Sequence, residues 1–199
     1  MEILEVINSG SRELKKNKIR SYRLDSEILL AKILKKRREE ILTNLEMKVA
    51  PKVVGDFNKL IARRSMNEPI AYILEEKEFW SKKFLVSRDT LIPRPETELL
   101  VEKIINIFKN KDIKIMDIGT GTGCILLSIL SELKNSSGIG IDISKKALQI
   151  AKQNSMMHKL TQKVKFYNKS LMKVQDYKCD LVVSNPPYIK KKDIKNLDD

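Results

Sequence analysis

From Met1 to about Leu74 the apolar positions recur at helical spacing and almost never alternate. Ile3, Leu4, Ile7 and Leu14 make one stripe, and Leu24, Ile28, Ala31 and Leu34 a second. Val53, Val54, Phe57, Leu60 and Ile61 make a third, each stripe one apolar face of an amphipathic helix. Pro51 suits the first turn of the third helix, where its missing N–H leaves no bond unmade. A small helical bundle is expected over residues 1–74.

The rhythm changes at Lys77. EFWSKKFLVS sets aromatic and β-branched residues around a polar Ser81-Lys82-Lys83, which predicts a hairpin turning at those three residues within a connecting segment, 75–92. In LIPRPETELLVEKIINIF, Pro93 and Pro95 hold the chain out of helix until Glu96. Glu96 and Glu98 then occupy the favourable first turn of a helix reaching Phe108. Beyond it, strand patterns at 113–118, 138–141, 164–167 and 181–184 alternate with helical patterns at 123–134 and 145–157. Such alternation predicts an α/β domain over 93–199, built on a parallel, doubly wound sheet.

Composition refines this only in part. The chain has 199 residues with 42% hydrophobic and 33% charged, a balance that buries a core. No segment reaches the roughly 18 apolar residues of a membrane span, so a soluble protein is expected. Cys124 and Cys179 lack metal-ligand spacing and read as reduced packing residues of a cytosolic protein, with no metal site. His158, at the polar end of a predicted helix, reads as a surface residue. The net charge of +13 suits an anionic partner. Most of it is lysine, a point charge rather than a phosphate-matching fork, so charge alone does not assign nucleic-acid recognition.

Chemistry concentrates where strands end. IMDIGTGTGCILLSIL places Asp117, Gly119, Thr120, Gly121, Thr122 and Gly123 between the first strand of the sheet and its helix. Glycines there allow a tight turn and close approach of backbone to a ligand. Asp142 ends the next strand at the ~20-residue separation at which a carboxylate reaches ribose hydroxyls. Nicotinamide dinucleotides and S-adenosylmethionine both fit this much. The last strand separates them. DLVVSNPPY ends in Asn185-Pro186-Pro187-Tyr188, and proline cannot donate within a ladder, so the corner lies beyond the strand. The side-chain carbonyl of Asn185 and the main-chain carbonyl of Pro186 offer two acceptors for one planar NH2 group, and Tyr188 can cover its flat face. Orienting such a poor nucleophile towards an electrophilic methyl needs no strong base beforehand, and S-adenosylmethionine carries that methyl.

The NPPY corner with DIGTGTG resembles the Rossmann-like methyltransferases that modify planar nitrogens, whether the exocyclic amine of adenine or the amide of glutamine. NEPIAYILEEKEFW and LIPRPETELLVE narrow the resemblance to the peptide chain release factor N5-glutamine methyltransferases, over essentially the whole chain. This implies methyl transfer from S-adenosylmethionine to the glutamine of the Gly-Gly-Gln motif in class 1 release factors. It also implies a cytoplasmic monomer whose helical domain docks that protein, with no membrane and no required nucleic-acid partner. The family's cofactor motif falls on Gly119 to Gly123, its ribose acid on Asp142, and its substrate corner on Asn185, Pro186, Pro187 and Tyr188. Asn185 also borders the methyl and is the expected catalytic residue.

Three departures accompany the likeness. The adenine-side acid is missing, its place falling near Asn168, Lys169 and Ser170, of which Ser170 is the candidate cofactor contact. Glu75 stands where the family has a glycine, in a turn needing positive φ. Family members also continue past NPPY, so a sheet ending after its fourth strand is expected here, its apolar edge exposed. Two other readings stay open: an adenine methyltransferase on RNA or DNA, and a truncated remnant that binds without catalysis.

Overall fold

A computed structural model of the protein describes residues 1–170 and 177–186. By contact density the chain divides into Met1–Glu75 and Glu76–Asp199.

The first unit is helical: α1 (Ile3–Lys16), α2 (Tyr22–Leu34), α3 (Arg38–Leu42), α4 (Pro51–Ser65) and α5 (Ile70–Leu74). Ile3, Ile7 and Leu14 of α1 and Phe57 and Ile61 of α4 share one core, and Pro51 opens α4 as its composition predicts. At Gly10 the helices approach closely, since a Cβ there would lie 2.5 Å from Phe57 and 2.8 Å from Ser26 Oγ. Helix α2 departs from expectation. It buries Leu29, Leu30 and Ala31 together with Asp25, Ser26 and Glu27, while Leu24 is exposed. The polar residues can be buried because each is answered. Ser26 Oγ donates to the Ile7 carbonyl at 2.8 Å, Arg64 Nε donates to Asp25 at 2.7 Å, and Glu27 accepts from Arg23 and Arg38. Glu75, closing α5, has φ of 62°, the strained left-handed turn its position implied.

In the second unit, β1 (Glu76–Phe79) and β2 (Lys82–Leu85) form the hairpin. Its turn is Trp80-Ser81, not Ser81-Lys82-Lys83. Both turn residues have φ of 52°, the primed geometry that matches strand twist, and the main-chain N–H of Trp80 donates to Glu98 at 2.8 Å. Phe79 and Phe84 are fully buried in the core of this unit, edge to face at 6.1 Å. The helix expected from Glu96 begins instead as a 3-10 turn, Pro95–Thr97, before α6 (Glu98–Ile107).

The remaining elements are β3 (Lys114–Ile118), α7 (Cys124–Glu132), β4 (Ser137–Asp142), α8 (Lys145–Met157), β5 (Val164–Asn168) and β6 (Leu181–Ser184). The sheet is parallel in the order β5-β4-β3-β6. The chain runs outward from β3 to β5 and then crosses back to the far side of β3, which makes β3/β6 the switch point at which ligands bind in such sheets. Among the described residues β6 is an edge, with Val182 54% exposed.

Cys124 is buried in α7, where burial pushes its thiol up to about 12; it and the half-buried Cys179 are free. His158 is not a surface residue as expected: it caps α8 with its ring 4.6 Å from that of Phe84, and burial lowers its pKa. No helix among the described residues is long and apolar enough to cross a membrane, and no cluster of His, Cys, Asp or Glu there could hold a metal ion.

Candidate active site

The carboxyl ends of all four strands converge on one cavity of about 370 Å3. Ile118, Gly119 and Gly121 line it after β3, Asp142 and Ile143 after β4, Lys169 after β5 and Asn185 after β6. Its far wall is Asp89, Thr90 and Leu91, in the segment leading out of the hairpin.

The glycine loop is shaped by its backbone. Gly119, Gly121 and Gly123 have φ of 69°, 55° and 78°, conformations in which an L side chain is strained. The N–H groups of Gly119 and Thr120 both donate to the Ile141 carbonyl, at 2.8 and 3.0 Å, which folds the loop over the end of β4. No atom lies within 4 Å of a Cβ built on Gly119, so the backbone faces open space.

The residues expected at the cofactor divide into two groups. Gly119, Gly121, Asp142 and Asn185 line the cavity. Asp117, Thr120 and Thr122 are buried beneath it. Asp117 is 1% exposed and accepts from Thr120 Oγ1 at 2.7 Å. Burial raises its carboxyl to about 7; the Thr120 bond opposes that shift, and the charge of Asp142 adds to it. Thr122 accepts from the main-chain N–H of Cys124 and, through its own carbonyl, from Asn154 Nδ2. Gly123 caps α7, and Lys169 rather than Ser170 lines the cavity.

Asp142 ends β4 with its carboxylate fixed from both sides. Oδ2 accepts from the Gly121 N–H at 3.0 Å and Oδ1 from the Ser144 N–H at 2.9 Å. A carboxylate has about four acceptor sites, so about two remain, enough for the paired hydroxyls of a ribose. Beside it, Leu91, Ile118, Ile141 and Ile143 offer apolar surface suited to a flat heterocycle. The donor set and the open glycine loop fit an adenosyl group.

Asn185 stands at a junction. It lines this cavity and also a second one of about 460 Å3, formed with Arg94, Glu96, Thr97, Leu100 and Ser184. Its Nδ2 donates to Thr97 Oγ1 at 3.4 Å, a long contact that engages one of the two amide N–H groups and orients Oδ1 as the acceptor. Pro186, just past β6, has no ladder bond. Pro187 and Tyr188 lie outside the described residues. The second cavity gives the PRPET stretch a physical role that spacing alone did not show. The wall at 89–91 was not foreseen either, because no local pattern marks it.

A family model described as PrmC N-terminal domain matches residues 5–74, and one described as Methyltransferase small domain matches 90–197. The release factor glutamine methyltransferase of Buchnera aphidicola subsp. Baizongia pistaciae is 43% identical over 199 residues, covering 100% of this chain and 71% of the relative. That of Buchnera aphidicola subsp. Acyrthosiphon pisum is 43% identical over 173 residues, 87% of this chain and 62% of its own. A Fusobacterium nucleatum protein of the same name is 36% identical, covering 98% and 56%. The chain thus spans between 56% and 71% of these relatives. With an N-terminal helical unit, a glycine loop, a strand-end aspartate and an Asn-Pro corner on one parallel sheet, the chain belongs to the release factor glutamine methyltransferase family.

Proposed function

We propose that this protein methylates the side-chain amide nitrogen of the glutamine in the Gly-Gly-Gln motif of class 1 peptide chain release factors. It would do so in the cytoplasm as a monomer, using S-adenosylmethionine. The observation that carries this reading is the position of Asn185, shared between a cavity suited to an adenosyl group and a neighbouring one open to a substrate side chain.

The proposed roles follow from chemistry. S-adenosylmethionine, when bound, supplies a methyl group activated on a sulfonium. Gly119 and Gly121 give the backbone room beside that ligand, and Asp142 holds the ribose hydroxyls. Asn185 Oδ1, together with the Pro186 carbonyl, accepts the two amide hydrogens of the glutamine. That grip fixes the nitrogen's orientation and favours the positive charge that develops on it, so no base is needed before attack. The surplus proton on the methylated nitrogen would pass afterwards to solvent water. Pro187 and Tyr188 would complete the grip. Lys169, and Ser170 beside it, would meet the adenine end.

The test is transfer of labelled methyl from S-adenosylmethionine to a purified release factor, with the labelled residue located by mass spectrometry. We expect label on the Gly-Gly-Gln glutamine. Asn185→Ala should lower turnover about a hundredfold to a thousandfold, the usual loss for one preorganised polar contact, with cofactor affinity little changed. Absence of label at that glutamine would count against the reading. The net charge of +13 favours one other reading, methylation of an adenine amine, and label on RNA or DNA in place of the protein would select it.

A further inference from the structure

Asn154, in the last turn of α8, is 0% exposed and lines neither of the two cavities beside Asn185. A buried amide is costly unless its hydrogen-bonding groups are met, and here three of them are. Oδ1 accepts from the Leu85 N–H at 2.7 Å. Nδ2 donates to the Leu85 carbonyl at 3.0 Å and to the Thr122 carbonyl at 2.9 Å. Neither partner lines the adenosyl cavity itself, but each is continuous along the chain with residues that do. Thr122 is part of the glycine loop that carries Gly119 and Gly121. Leu85 ends β2, and the chain leaving it becomes the wall of Asp89, Thr90 and Leu91.

We infer that Asn154 is a positioning residue, whose single amide ties the glycine loop to the segment after β2 and so sets the width of the adenosyl cavity. The inference rests on the reading of that cavity as the S-adenosylmethionine site. Loss of an asparagine that only packs lowers the stability of the fold alone. Loss of a tie between the loop and that segment also weakens ligand binding in protein that remains folded.

Two variants separate these. Asn154→Asp keeps the shape and the Leu85 N–H bond but sets an oxygen against two carbonyls. Asn154→Ser, smaller and able to donate only once, carries the test should the aspartate variant fail to fold. Ser136→Ala is the matched control. Its buried hydroxyl also bonds main chain, accepting from Ile113 and donating to Lys111, but it precedes β4 at the amino end of the sheet, away from the cavity.

S-adenosylmethionine binding is measured by calorimetry well below each variant's melting temperature, alongside steady-state kinetics with a release factor. The Asn154 variants should weaken binding about tenfold or more, as expected for loss of one to two bonds, and raise the cofactor KM while kcat at saturation changes little. Ser136→Ala should bind within about twofold of the parent. Equal affinity in parent and Asn154 variants overturns the inference while leaving the site reading intact. A parent that does not bind S-adenosylmethionine overturns both.

Discussion

Replacing Asp142 by asparagine isolates the charge and one acceptor at the strand end while leaving the side chain's size unchanged. The carboxylate accepts from the Gly121 and Ser144 N–H groups at 3.0 and 2.9 Å, so both oxygens are already committed once. Asparagine turns one oxygen into an NH2 group that cannot accept. One of those two N–H groups then faces a donor, and one remaining ribose acceptor disappears. A hydrogen bond to a charged group contributes about 1.5–3 kcal/mol, so losing one weakens binding about tenfold to a hundredfold. Asp142 is only partly buried, and solvent screening puts the expected loss near tenfold. Calorimetry with S-adenosylmethionine measures it directly. A second ligand, the analogue lacking the 2′-hydroxyl, closes a double-mutant cycle. If Asp142 holds the ribose, the losses from Asp142→Asn and from the missing hydroxyl should not add. Additive losses, or binding of Asp142→Asn within twofold of the parent, would refute the assignment.

Two further perturbations test features of the fold. Asp117, raised by burial to about 7 from an ordinary 3.8, stays protonated in the folded state where the unfolded chain has already lost that proton. Its contribution to stability is complete below pH 3.8 and falls as pH rises towards 7, by up to about 1.4 kcal/mol per unit. Urea unfolding of parent and Asp117→Asn from pH 5 to 8 should show the parent losing stability relative to the variant, and a constant difference would contradict the buried, uncharged carboxyl. Glu75→Gly should stabilise the fold by about 0.5–1 kcal/mol. It relieves a left-handed glutamate at φ of 62° against the extra chain entropy of glycine and an exposed pair with Lys32 at 3.8 Å. Thermal melting that shows a loss would place the strain elsewhere.

What was legible in the sequence depended on where each residue finds its partner. The strands at Ile115 and Val183 announce themselves as short apolar runs stopped by glycine or proline, and the helix from Lys145 is capped by the preceding Ser144, whose hydroxyl accepts from Ala147. Gly119, Asp142 and Asn185 were readable for the same reason, since each terminates a strand and the topology brings strand ends together. The buried face of α2 was not. Asp25 and Glu27 look like solvent residues until Arg64 and Arg38 arrive from other helices. The hairpin turn fell one residue early because two non-glycine residues adopt positive φ there, against local preference. Asn154 and the wall at 89–91 acquire meaning only from tertiary contacts with segments far away in the chain.

The pairing of β6 with β3 also bears on the order of folding. Ile115 sits beside Leu181, with the whole nucleotide half of the sheet threaded between them in sequence. Such non-local contacts close a long loop and form slowly, whereas β3, α7 and β4 are near neighbours along the chain. During synthesis the glycine loop can therefore take shape before the asparagine corner has left the ribosome. Among the described residues β6 is the last strand to pair, and under the proposed roles a chain stalled before that step would hold the glycine loop and Asp142 without the Asn185 acceptor.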